Sequence, residues 1–211
     1  MRFVQLRSIQ QRLILPAVGL FAAIGIAACN QTPPTPAAAP AQSAEDQAKA
    51  QVERGRLLIS GGGCHDCHSP KKFDTGAPVP DESRLLSGHP ESAGVPQPFK
   101  QGAEKAWTTH ANDHLTAWSG AWGVSFAANL TPDQNTGLGI WTEEMFLNAL
   151  KQGKHMGTAR PILPPMPWNW YGQLPDEDLK AMFAYLKSIP AISNRVPIPL
   201  DPSGKPIEEP Q

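Results

Sequence analysis

Cysteine is scarce in this chain. Only three occur in 211 residues and none follows Cys67, so the second cysteine pair that would complete a four-thiolate zinc site is missing. An excess of positive charge is lacking as well: 18 Lys and Arg stand against 19 Asp and Glu. Three of those arginines (Arg2, Arg7 and Arg12) fall in the first 28 residues, which hold no acid, and the remainder is mildly acidic. That balance argues against nucleic acid as a partner and suits docking to a basic face of another protein. Flavin and quinone fingerprints, and any substrate-pocket motif, are missing too. The length allows one well-buried core and is short for two independent domains.

What is present begins with a leader. Three arginines precede "LILPAVGLFAAIGIAAC", whose apolar part, residues 13–28, is short for a spanning helix and broken by Pro16 and Gly19. Residues 1–28 therefore read as a cleaved export signal. The run ends in "IAAC", which resembles the lipobox of bacterial lipoproteins, and the resemblance implies lipidation of Cys29. Asn30 rather than Asp follows that cysteine, which in such lipoproteins implies the outer membrane, facing the periplasm. "QTPPTPAAAP" and "AQSA" follow, a proline- and alanine-rich tether over residues 29–44. The folded unit is expected over residues 45–190, and residues 191–211 form an extended proline-rich tail.

The chemistry centres on "GGGCHDCHSP", where Cys64 and Cys67 are followed at once by His68. A redox dithiol needs a strand leading into it, whereas the preceding residues read as a helix ending in glycine. A zinc site has only His110 and His114 to complete a Cys2His2 set. Covalent haem attachment would use Cys64 and Cys67 as thioethers and His68 as iron ligand, and requires a second axial ligand downstream. Met166 meets that requirement, on a loop stiffened by Pro164, Pro165 and Pro167. Met156 is its competitor, Met145 and Met182 lie in helical patterns, and His65 is expected to be exposed.

These residues, with "NLTPDQNTGLGIWTEEMFLNALKQGKHMG", "ILPPMPWNWY" and "DEDLKAMFAYLKS", resemble the class I cytochromes c. The likeness is greatest to the bacterial membrane-associated branch that includes cytochrome subunits of alcohol and aldehyde dehydrogenases. Those subunits carry three CxxCH motifs and this chain one. The resemblance implies an all-α fold of the class I cytochrome c type, with a long loop insertion (residues 71–125) between the CxxCH helix and the NLTPD loop. It implies one covalent haem c, with Asn129, Thr131 and Trp168 as candidates for bracing the methionine loop or bonding a propionate.

Helix patterns fit that frame. Val52, Leu57, Leu58 and Ile59 predict an amphipathic helix stopped by Gly61, Gly62 and Gly63. Thr142 opens a second helix that Gly153 ends, and a third starts near residues 175–178. Gly55 would allow the first and last helices to cross closely, near Phe183 or Tyr185. The inserted region, with three tryptophans, is expected to cover a haem edge, and His89, His110 and His114 to brace loops there.

The function so implied is a lipid-anchored periplasmic electron carrier and not an enzyme in itself. Its partners would be a dehydrogenase, a quinol-oxidising complex or a terminal oxidase. The alternative is a peroxidase-like haem enzyme or gas sensor with a displaceable sixth ligand.

Overall fold

Ser43 opens the first helix by accepting a hydrogen bond from the Asp46 backbone N–H on its hydroxyl, and Glu45 and Asp46 place negative charge at the positive end. The resulting α1 (Ala44–Gly61) ends where the Gly62 N–H returns to Leu58. Gly63, at φ 71°, then turns the chain into the short helix α2 (Cys64–His68). The structure, a computed structural model, describes residues 43–74, 76–95 and 109–208. Cys29 and the leader over residues 1–28 lie outside these residues. No helix among the described residues is long and apolar enough to cross a membrane.

Between α2 and Thr142 the described residues carry no α-helix, only two single 3-10 turns, at Glu82–Arg84 and Glu91–Ala93. Strands β1 (Lys71–Lys72) and β2 (Val79–Pro80) pair antiparallel. Strands β3 (His110–Ala111), β4 (Ala117–Gly120) and β5 (Gly123–Phe126) form an antiparallel meander in the order β3-β4-β5. Gly120 faces Gly123 across a two-residue loop, so β4 and β5 are a tight hairpin. The expectation of an all-α class I cytochrome c fold is therefore corrected: the 71–125 region, expected as a loop insertion, builds two small sheets. Short apolar stretches punctuated by glycine lack the span for a helix and close into hairpins instead.

The helical pattern returns at Thr142, whose hydroxyl accepts from the Met145 N–H and starts α3 (Glu143–Gln152). Gly153 ends it in the left-handed region, with Trp168 packed against its backbone: an added Cβ would lie 2.4 Å from the indole. A single turn, α4 (Trp168–Tyr171), leads to α5 (Asp176–Ser188). Helices α1 and α5 cross at Gly55, where a Cβ would sit 1.9 Å from the Ala181 carbonyl oxygen and 2.9 Å from Tyr185 Cβ. Beside the crossing, the Arg54 guanidinium forks onto Asp178 at 2.8 and 2.9 Å.

One core joins these helices: Ile59 of α1, Phe146 and Leu150 of α3, and Leu179, Phe183 and Leu186 of α5. Leu57, expected inside, is 52% exposed, because the buried stripe of α1 runs through Gly55 and Ile59. The proline-rich tail is integrated up to its last described residues. Leu200 exchanges backbone hydrogen bonds with Val124 of β5, and Asn194 donates to the carbonyls of Ser87 at 2.6 Å and His89 at 2.8 Å.

Candidate haem cavity

The meander, α3, α5, the 163–167 loop and the tail line an open cavity of about 710 Å³. That is the size range of clefts that bury a whole organic cofactor. Its walls are mostly apolar, with Ile59, Leu138, Phe146 and Leu186 among them. Cys64, Cys67, His68 and Met166, chosen from sequence as haem-binding residues, all line it. Met156, the competing methionine, lines it too and takes φ 52°, a left-handed conformation uncommon for a side-chain-bearing residue.

Backbone contacts fix how His68 presents its ring. Its Nδ1 lies 2.8 Å from the Ala128 carbonyl oxygen, which can only accept, so Nδ1 carries the proton and Nε2 keeps a free lone pair. The Gly88 N–H donates to the His68 carbonyl at 2.8 Å, and the Leu86 N–H to the Ser69 hydroxyl at 2.9 Å. The inserted region thus clamps the C-terminal end of α2. Burial lowers the pKa of His68 and keeps the imidazole neutral, as a metal ligand must be.

Cys64 is buried and Cys67 half-buried, and the two are not bridged. Burial pushes the Cys64 thiol up to about 11 and raises Cys67 as well, the reverse of the lowered pKa that activates a redox dithiol. A helix and a glycine turn, not a strand, lead into the pair. The zinc arrangement is not assembled either. His114 accepts the Lys71 backbone N–H on Nδ1 at 3.1 Å and packs edge-on against Phe73. Among the described residues no group of three or more His, Cys, Asp and Glu is gathered to hold a metal ion.

Met166 is held by its neighbours. The Ser125 hydroxyl of β5 donates to the Pro164 carbonyl, tying the methionine loop to the meander. Asn129 and Thr131 do not face the cavity through free polar atoms. The Asn129 carboxamide oxygen accepts from the Thr131 N–H and hydroxyl, and its NH2 donates to the Ile192 carbonyl at 2.8 Å. Their work here is to lash the NLTPD loop to the tail. His65, expected in solvent, is half-buried with Nδ1 3.1 Å from the Ser69 hydroxyl. His89 is buried, bonded to the Thr116 hydroxyl and the Gly94 carbonyl, each at 2.9 Å.

Sequence reasoning missed two contributors. The tail supplies cavity wall through Val196, Pro197 and Ile207. Lys71, just past the motif, is 6% exposed and buries its ammonium among the carbonyls of that motif. A tail that reads as polar and proline-rich carries no periodicity that announces burial, and a lysine is among the least expected residues in an interior.

The donor set and the walls fit a covalently attached haem: two adjacent thiols, a neutral imidazole with Nε2 available, and a thioether on one apolar cavity. No family model matches the chain. It is 30% identical over 145 residues to the gluconate 2-dehydrogenase cytochrome c subunit of Pantoea cypripedii, covering 67% of this chain and 24% of that one. It is 34% identical over 87 residues to the fructose dehydrogenase cytochrome subunit of Gluconobacter japonicus, covering 39% of this chain and 18% of that one. To a diheme cytochrome c-type protein of Cereibacter sphaeroides it is 30% identical over 158 residues, covering 74% of this chain and 41% of the relative. The chain thus spans less than half the length of each. These similarities make the chain a relative of c-type cytochromes, among them the cytochrome subunits of dehydrogenases.

Proposed function

We propose that this protein is a single-haem electron carrier of the bacterial periplasm, anchored to a membrane, the outer one, through lipid on Cys29. Cys64 and Cys67 would hold haem c by thioether bonds, with His68 and Met166 as axial ligands. The observation that carries the reading is the convergence of these four side chains on one apolar cavity. When bound, haem c supplies a one-electron iron couple.

The protein's own residues do the rest. Ala128 fixes the His68 tautomer and leaves the Nε2 lone pair for the iron. Ser125 steadies the loop that bears Met166. Leu138, Phe146 and Leu186 keep water from the site, which favours the reduced form and limits rearrangement between the two oxidation states. The segment between Cys29 and Ser43, outside the described residues, would serve as the tether. The relatives' names point to a dehydrogenase as electron donor, and the acidic balance after the leader fits a basic docking face on that partner.

The test is the visible spectrum of the purified mature protein, oxidised and reduced, with and without carbon monoxide. A low-spin c-type spectrum with a methionine-to-ferric band and no carbon monoxide response is expected. A high-spin spectrum that shifts with carbon monoxide would overturn the carrier in favour of a haem enzyme or gas sensor.

A further inference from the structure

Lys71 is a buried cation that the cavity residues leave unused. Its Nζ donates to three carbonyl oxygens, those of Ser69 at 2.6 Å, Asp66 at 2.8 Å and His65 at 3.2 Å. An ammonium has three donors and a neutral amine two, so this three-acceptor cage matches the protonated form. All three acceptors belong to the CHDCH segment or the residue after it. Two come from within α2, between Cys64 and Cys67, and the third directly follows His68. Lys71 is held from the other side as well, its backbone N–H donating to His114 Nδ1 at 3.1 Å.

We propose that Lys71 is a positioning residue that sets the reduction potential of the haem site, by fixing α2 and by placing a desolvated positive charge at the base of the His68 ligand. The inference rests on haem attachment at Cys64, Cys67 and His68. Its sign follows from charge. Oxidation adds one positive charge at the iron, and a fixed cation in a low-dielectric surrounding opposes that addition. Lys71 therefore favours the reduced form and raises the potential. A surface lysine at the same sequence distance would do far less, because water and salt screen it. Lys72, the next residue, provides that comparison: its side chain is 47% exposed and paired with Asp81 at 3.1 Å.

The experiment is a spectroelectrochemical titration of the full-length haem-bearing protein and of Lys71→Met, Lys71→Gln, Lys71→Arg and Lys72→Met. Each is measured at low and at high salt, alongside its oxidised and reduced spectra. Lys71→Met and Lys71→Gln should lower the midpoint potential at both salt concentrations with a low-spin spectrum unchanged, Lys71→Arg should restore most of it, and Lys72→Met should give a small drop that salt removes. Equal potentials in the wild type and both neutral variants would overturn the proposal. So would a drop of the same size in Lys71→Arg, which would make the cause packing rather than charge. If neither neutral variant yields a low-spin haem protein, Lys71 is a folding determinant and the tuning role fails. A wild type without a c-type haem spectrum would instead sink the electron-carrier reading on which the inference rests.

Discussion

At the scale of single residues, three methionines line the cavity, Met182 as a buried residue of α5 and Met156 and Met166 outside the α-helices, and only Met166 is proposed as ligand. Met166 sits between Pro165 and Pro167, whose fixed φ angles restrict the loop, and Ser125 ties that loop to β5. Met166→Leu should therefore abolish the methionine-to-ferric band, lower the midpoint potential and let carbon monoxide bind, while Met156→Leu leaves all three unchanged. The reverse pattern would give the ligand role to Met156. Asp81 makes a second residue-level case. Its side chain is 6% exposed, and the Ser83 hydroxyl, then Arg84 and Lys72, hold its carboxyl well below the usual carboxylate range against the opposing effect of burial. A depressed carboxyl stabilises the fold above its unfolded pKa of about 4 and loses that contribution as pH falls towards its folded value. Melting curves of the wild type should thus drop steeply below about pH 4. Asp81→Asn should melt lower at neutral pH and show a shallower acid limb; identical limbs would remove Asp81 from the account.

At the scale of elements, the α1–α5 crossing is decided by one missing side chain. A Cβ at Gly55 would meet the Ala181 carbonyl at 1.9 Å, and backbone cannot rotate away as a side-chain tip can. Gly55→Ala must push the helices apart and should cost about 3 kcal/mol, the upper part of the usual overpacking range. Gly61, later in the same helix, has nothing within 4 Å of its would-be Cβ, so Gly61→Ala should be neutral or slightly stabilising in a denaturant melt. Equal costs at the two positions would refute the close approach. The three long helices were legible because their signals are local: Thr142 as cap, Gly153 as stop, apolar spacing in between, whereas Ser43, the cap of α1, was read into the tether. The close approach at Gly55 and its neighbour Tyr185 could be anticipated, but the nearer contact could not, since Ala181 contributes backbone rather than a recognisable side chain. The meander was misread as loop, although "SGAWGVSF" carries a hairpin signal in Gly120 and Gly123 on either side of two residues.

At the scale of the whole molecule, the site is closed by chain segments that sequence reading set outside the folded unit. The four candidate ligating residues could be picked from motif and loop chemistry, whereas the tail's role depends on backbone pairing that no periodicity reports. Three anchorages hold it. Ile192 is bound by Asn129 and Thr131, Asn194 bridges to Ser87 and His89, and Leu200 pairs with Val124. Asn194→Ala leaves two carbonyls without their donor, for which about 1–3 kcal/mol of lost stability is expected. Ending the chain after Pro190 removes all three anchorages together with the wall formed by Val196, Pro197 and Ile207. The tail reaches the motif only at second hand, through Asn194 on the carbonyls either side of the Gly88 that holds His68, so haem should still attach. Water would then reach the site from the opened side, stabilise the oxidised charge and lower the midpoint potential, with the melting temperature falling in parallel. A truncated protein with unchanged potential and melting temperature would mean that the tail merely rests on a cavity already closed by α3, α5 and the meander.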